Sequence, residues 1–538
     1  MAARILNLKD DDLLEILENL DYKSLLACQM SCRRLKTLVA ESISLQYTIE
    51  LAACGMVDGP RGSSTLDVTE RLRRLRLYDA AWRHLEWTGH TALPHLVDHL
   101  PPLMASRGAL LFQTGDVDDD ESDVDDDEPK DLLQQISSEL RGVKERSIFF
   151  PVRTGYNVLL DPSQDLLTSA PVSSHPPPLP HRCQLLSLFT GEAHPLSSAL
   201  DPCADIGERT LIEICGDHIL EAIQPNPDLA NWDYYVWNWK TGHIVLTTPS
   251  TTYNSSMRQH ARFLDNNRIL VLETGEWHEG KVGCIHVLSI PSTPPGNIPQ
   301  RPIHAEPSGH AFMLPKFVQE DPGPLTVFLA YGCPHSESNS GYFHSDPDER
   351  LLSIRVDNSW YPRASEGPDH VFIDIPLQTF RSYIATHPLS GDSLTVPWDE
   401  WRHGARVTRH DSRPWMGHSD LVSTSGMRRI NLRRSGEGST AVLELLDYHP
   451  RRVARAIARQ RDGSGEVLFH SDKIEGEVYD DLQTALPCLV KQIPLPDKLV
   501  QQSDDEWVIS GCLCEDGIIF MTMGPISGSI AMAWEYSF

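Results

Sequence analysis

The sequence predicts a small all-α unit at the N-terminus followed by a large, mostly-β domain, most simply a β-propeller of six or seven blades. Three observations carry this expectation. Apolar residues recur at helical spacing through the first hundred residues and not beyond. A run of acidic residues at 116–128 then interrupts the chain. From residue 147 onward, short β-type runs alternate with tight-turn pairs at a spacing near 50 residues. The alternative for the second part is a large β-sandwich assembly. At about 150 residues per domain, the length of 538 residues suggests three to four domains, or one large repeat fold plus something smaller.

In the first part, Leu13, Ile16, Leu17 and Leu20 share a helical face, with Asp10, Asp11 and Asp12 where carboxylates favour the helix dipole. Asp21-Tyr22-Lys23 breaks the pattern, and Ser24 is the expected N-cap of a second helix. Ser31 is expected to cap a third helix through Leu35, Leu38 and Val39. Further on, VTERLRRLRLYDAAWRHL places Leu72, Leu75 and Trp82 on one face. These divisions give a helical unit at 1–47, a helical extension at 48–100, and an acidic linker with a short helix at 101–146. The tract DVDDDESDVDDDE holds ten acidic residues in thirteen, too little apolar surface to offset chain entropy, so disorder is expected there.

The β domain, 147–538, is read from its turns. Thr190-Gly191, Gly216-Asp217, Thr241-Gly242 and Asn266-Asn267 each sit between β-type runs, and Gly and Asn supply the positive φ of tight hairpins. Ile219-Leu220 recurs as Ile269-Leu270, an offset of 50, and four runs per period suit one propeller blade. Gly436-Glu437-Gly438 and Asp516-Gly517 continue the pattern.

Composition excludes several functions. The net charge of −28 repels a phosphate backbone, so a general nucleic-acid binder is not expected. No apolar stretch reaches the ~18 residues of a membrane span, and no signal peptide is expected. Eleven cysteines without a CxxC pair read as reduced packing residues of a cytoplasmic or nuclear protein. No hydrolase, zincin, P-loop or EF-hand pattern occurs, so neither catalysis nor a cofactor is expected. Gly436–Ala441 matches GxGxxA on paper, but strand formers follow it where a dinucleotide site needs a helix.

ILNLKDDDLLEILENLDYKSLLACQMSCRRLKTLV, residues 5–39, resembles the F-box. Leu8, Leu13, Ile16, Leu17, Leu20, Asp21, Leu25, Leu26 and Cys32-Arg33-Arg34 fall in register without a gap. The departures are Lys9 and Tyr22 where proline is usual or common, and Leu35 where tryptophan is common. The layout also looks like that of fungal F-box proteins. The resemblance implies a substrate-receptor subunit of an SCF-type ubiquitin ligase. Leu8, Lys9, Leu13, Ile16, Leu17, Leu20, Leu25 and Leu26 would then bind a Skp-type adaptor and, through it, a cullin. Three short helices cannot bury all these leucines, which predicts an exposed apolar stripe that a partner covers. The alternative is a scaffold whose helices serve another partner without ubiquitin transfer. More weakly, Val236-Trp237-Asn238-Trp239-Lys240-Thr241-Gly242 is similar to the end of a WD-type repeat, with Asn238 where aspartate is usual.

One charge feature stands apart. Residues 401–461 hold thirteen arginines, no lysine and five acids. Arg428, Arg429, Arg433 and Arg434 lie on a predicted strand, and RRVARAIARQR follows. Arginine without lysine suits bidentate binding of carboxylate or phosphate, so these four are candidates for holding an acidic or phosphorylated target. The competing expectation is pairing with Asp and Glu inside the β domain.

Overall fold

A computed structural model describes residues 7–59, 66–85, 89–92, 104–106, 109–112, 131–135, 137–144, 146–150, 157–170, 183–197, 208–224, 232–248, 261–273, 283–291, 309–315, 325–331, 341–358, 370–389, 393–410, 423–434, 441–461, 468–469, 473–476, 479–483, 486–495, 508–523 and 530–537. The acidic tract at 116–128 lies outside them.

Five helices open the fold: α1 Asp10–Glu18, α2 Tyr22–Ser31, α3 Arg33–Glu41, α4 Ile43–Cys54 and α5 Val68–His84. The three aspartates fill the first turn of α1 as expected. The cap of α2 is Asp21 rather than Ser24: its carboxylate accepts from the Ser24 amide at 2.7 Å, so the helix starts earlier. Ser31 does not cap α3 either. It ends α2, its hydroxyl donating to the Cys28 carbonyl at 2.8 Å, and extended Cys32 separates the helices. α4 stops at Gly55, whose φ of 64° is the left-handed value glycine takes without strain. Asp67 caps α5 by accepting from the Glu70 amide at 2.8 Å.

The remaining chain forms many small antiparallel sheets. Seven of those described have three or more strands, unlike the two broad sheets of a sandwich. The first holds Met104–Ser106, Ala109–Phe112, Asp131–Gln135 and Arg146–Phe150; the second holds Asn157–Asp161, Leu166–Ala170 and Gln184–Ser187. The third runs Glu208–Cys215, His218–Gln224, Asp233–Asn238, His243–Thr248. The fourth runs Ala261–Asp265, Arg268–Glu273, Cys284–Ser289, His310–Met313, with Leu394–Val396 added in parallel. The fifth pairs Leu325–Tyr331, Leu351–Asn358, His370–Pro376 and Arg406–His410. The sixth contains Ser423–Ser425, Arg428–Arg434, Ala441–Asp447 and Cys488–Pro494, with Leu468–Phe469 at its edge. Val508–Leu513, Gly517–Met523 and Ile530–Ser537 make the seventh, and Gly89–Ala92 from far upstream pairs with its last strand. Two further helices longer than a single turn, α6 Leu377–Thr386 and α7 Pro450–Arg461, follow strands of the fifth and sixth sheets.

Most expected hairpins are present, and their turns show why. In the third sheet the Asn238 carboxamide accepts from the amides of Lys240 and Thr241, both at 3.0 Å, before Gly242 turns the chain at φ 72°. Asparagine thus does here what an aspartate acceptor would. The return after Thr190-Gly191 differs: only an isolated Leu186–Ala193 bridge forms, not a strand. The short helix expected in 101–146 is corrected as well. Asp131–Gln135 is a strand paired on both sides, and that pairing overrides the weak helical preference of DLLQQ. Strands therefore begin well ahead of 147: Met56–Asp58, paired with Phe343–Ser345, and Gly89–Ala92 both fall in the expected helical extension, and Met104–Ser106 follows.

α5 joins the helical unit to the sheets. Leu75, Tyr78 and Trp82 pack with Ile430, Leu443 and Phe520 in one core, and the Tyr78 hydroxyl donates to the Glu515 carbonyl. Leu75→Ala leaves a void at this joint and should lower stability by about 2–5 kcal/mol, read from urea midpoints. Arg141, buried beside it, meets Glu515 at 2.7 Å and Asp516 at 2.8 Å. Among the described residues, no helix is long and apolar enough to cross a membrane.

Candidate functional site

The helical unit makes its own core. Leu13, Leu17 and Leu25 are buried against Leu38, Val39 and Leu45, the last contributed by α4. This corrects the expected stripe, because a fourth helix covers what three could not. Leu13, Leu17 and Leu25 face inward and cannot touch a partner directly. Leu8 and Leu20 are half-buried, and Lys9 is exposed. What α1 and α2 leave to solvent is Ile16, 47% exposed, Leu26, 39%, and Met30, 88%. Leu26 and Met30 stand one turn apart on one face of α2. Met30 was missed in the sequence, although its spacing from Leu26 was visible.

The two positions where proline is usual or common have local substitutes. Lys9 makes no side-chain cap to α1. Instead Arg34 donates to the Leu8 carbonyl at 2.7 Å and to Asp10 at 2.5 Å, tying the approach to α1 onto α3. Tyr22 stacks under the Arg451 guanidinium, 3.9 Å from its centroid, which links α2 to α7.

The four candidate arginines lie on one strand, as expected, but two are structural. Arg429 is wholly buried and pairs at 3.1 Å with Asp374, equally buried, on the fifth sheet. It also donates to Thr408 at 3.1 Å and stands 4.3 Å over the Phe372 ring. Asp374 further accepts from Ser353 at 2.6 Å and from Tyr448. Arg429 thus ties the sixth sheet to the fifth and is not available to a target, which corrects that expectation. Arg428, on the other face, is also buried. It lies 3.5 Å from its cross-strand neighbour Asp447 and 4.3 Å over the Trp82 ring. Arg433 and Arg434 stand opposite Val442 and Ala441, and their side chains lie outside the described residues.

Asp447 anchors a second network, which sequence reading missed. It meets Arg452 at 2.8 Å, and Arg452 also reaches Asp79 at 3.2 Å and the Cys54 carbonyl. Burial works to raise the Asp447 pKa, but Arg452 and Arg428 outweigh it and hold the carboxyl at about 2. A carboxyl depressed in the folded state stabilises above its unfolded pKa of ~3.9, and that stability is lost as pH falls through the folded value. Asp447→Asn should therefore lower stability at pH 7, by on the order of 2 kcal/mol, and make little difference near pH 2. Paired melts across that range check it.

One group among the described residues offers a donor set able to hold a metal ion: Glu273, Cys284 and His286 on adjacent strands of the fourth sheet. His286 Nε2 is 2.8 Å from Cys284 Sγ and 2.7 Å from Glu273 Oε2. Both partners use the same ring nitrogen, so the imidazole does not relay a proton between them through its two nitrogens. Burial first, then Glu273, pushes the Cys284 thiol up, the opposite of an activated nucleophile. The GxGxxA match also leads into a strand rather than a helix, since Ala441–Asp447 pairs antiparallel with Arg428–Arg434.

The F-box domain pattern matches residues 5–46, which coincide with α1–α3 and the start of α4. No curated protein matches the chain. Among solved structures, the chain is similar to the WD40 domain of SCAP from fission yeast at 10% identity and a TM-score of 0.23, over 80% of this chain and 72% of that one. A likeness that low carries no weight beside the strand pairing itself. The chain therefore has an F-box followed by a domain of many small β-sheets.

Proposed function

We propose that this protein is a substrate-receptor subunit of an SCF-type cullin–RING ubiquitin ligase in the cytoplasm or nucleus. The observation that carries the proposal is the F-box match at 5–46 falling on a self-contained helical core that leaves Ile16, Leu26 and Met30 to solvent. Those side chains, flanked by Lys9, Leu8 and Leu20, are the adaptor dock, and Leu13, Leu17 and Leu25 hold its shape from beneath. The β domain holds the target. Its sheets are read as seven propeller blades, a reading supported by their sequential strand order and by Gly89–Ala92 pairing with Ile530–Ser537 across the chain ends. The receptor performs no covalent step. It raises the effective concentration of target lysines beside the charged conjugating enzyme.

The test is size-exclusion chromatography of the full chain with a Skp-type adaptor. Co-elution as a one-to-one complex is expected. Separate elution at micromolar concentrations of both would remove the basis of the proposal.

A further inference from the structure

Glu273, Cys284 and His286 come together at one end of the fourth sheet. Arg268–Glu273 and Cys284–Ser289 run antiparallel, with Glu273 directly opposite Cys284 and Val271 opposite His286. Cys284 and His286 are two residues apart on one strand and so share a face, and Glu273, opposite Cys284, shares it with them. The strand that carries two of the three is held on both sides, since Cys284 and His286 also stand opposite Met313 and Ala311 of His310–Met313. Their backbones are therefore fixed before any ligand arrives. Cys284 is buried, while His286 and Glu273 are half-buried.

The donor atoms close a triangle. His286 Nε2 is 2.8 Å from Cys284 Sγ and 2.7 Å from Glu273 Oε2, and Sγ is 3.3 Å from that same oxygen. An imidazole nitrogen holds either one proton or one lone pair, so Nε2 cannot make full hydrogen bonds to both partners. A cation at the centre serves all three at once. Zinc bonds of 2.0–2.3 Å in a tetrahedron set donors about 3.4–3.6 Å apart, so each edge of the triangle needs to open by less than about 1 Å. Glu273 is the last residue of its strand and its side chain is 31% exposed, which leaves it room to move. The donor set also selects the ion. Thiolate and imidazole suit zinc, whereas magnesium and calcium take oxygen ligands.

We propose that Glu273, Cys284 and His286 hold a zinc ion on the β domain, with water completing its coordination on the side where Glu273 is exposed. As the sulfur–zinc bond forms, the thiol S–H bond breaks and its proton goes to solvent; thiolate and carboxylate then match the two charges of the ion. Burial and Glu273 favour the protonated thiol in the metal-free chain, and a bound cation reverses that bias. The ion clips the two strands where their pairing ends. The site lies apart from α1 and α2 and does not depend on the adaptor dock.

The full chain, stripped with a chelator and desalted, is titrated with zinc chloride under calorimetry and then melted with and without the ion. A single tight equivalent is expected, with a rise in the melting midpoint, and a large excess of magnesium should not displace it. Cys284→Ser and His286→Gln should each weaken binding by about a hundredfold or more, and Glu273→Gln by about tenfold or more. Cys183→Ser, beside the second sheet, should leave binding unchanged. Cobalt(II) in place of zinc should give a thiolate-to-metal charge-transfer band in the near ultraviolet that Cys284→Ser abolishes. Circular dichroism of each metal-free variant reports its fold, and Glu273→Gln, the least buried position, keeps the test open if Cys284→Ser does not fold. Adaptor binding should be the same with and without zinc, which separates this site from the ligase reading. Three results would overturn the proposal: weak binding of several equivalents that a folded Glu273→Gln variant does not alter, a cobalt complex without the charge-transfer band, or displacement of zinc by magnesium.

Discussion

Arg429→Met is expected to cost about 3–5 kcal/mol of stability, a large share of what an ordinary domain has. The substitution removes a guanidinium that is wholly buried between the fifth and sixth sheets and leaves Asp374 charged there without it. Ser353 and Tyr448 still donate to Asp374, but neither carries a compensating charge. Combining Arg429→Met with Asp374→Asn should recover part of the loss, because no uncompensated charge remains. Urea denaturation of the two single variants and the double gives the coupling directly. A loss under ~1 kcal/mol for Arg429→Met would mean the pair is solvated, and the assignment of Arg429 as a structural tie would fail.

Ile16→Asp with Leu26→Asp should weaken adaptor binding by at least a hundredfold while leaving the helices intact. Both residues are exposed in the chain alone, so a charge at either is hydrated until a partner covers it. Desolvating two carboxylates in an interface costs about 1.4 kcal/mol or more at each, which gives the factor. Leu17→Asp is a different experiment. It puts a charge into the core shared with Leu13, Leu25 and Leu38, and should abolish binding by unfolding the helical unit. Circular dichroism beside an adaptor titration separates the two outcomes. Undiminished binding by a folded double variant would place the dock elsewhere.

The helices and most hairpins were legible because periodicity and turn chemistry are local. Leu13, Leu17 and Leu20 showed a helix, and Asn238 with Gly242 showed a turn. Burial was less legible, because it depends on what packs from elsewhere in the chain. The period of α1 marks an apolar face but does not reveal that Leu45 of α4 will close over it. Alternation correctly put Arg428 and Arg429 on opposite faces, yet only the fold shows that Asp374 and Trp82 cover those faces. Caps misled by position: Ser24 is a good capping residue, but Asp21 three residues earlier captures its amide first. A short helix was expected within 101–146 where Asp131–Gln135 is a strand, because strand pairing on both sides is a non-local term. The Asp447 network had a partial signal in Arg452 of α7, whereas Asp79, which completes it, comes from a distant part of the chain.

The central claim is that this chain links a bound target to a ligase, and cullin recruitment tests it most directly. Full-length protein is immobilised and offered purified cullin with and without the Skp-type adaptor. Cullin should be retained only when adaptor is present, and lost again with Ile16→Asp and Leu26→Asp. Adaptor retained without cullin, or cullin retained equally by the double variant, would contradict the account and favour a scaffold.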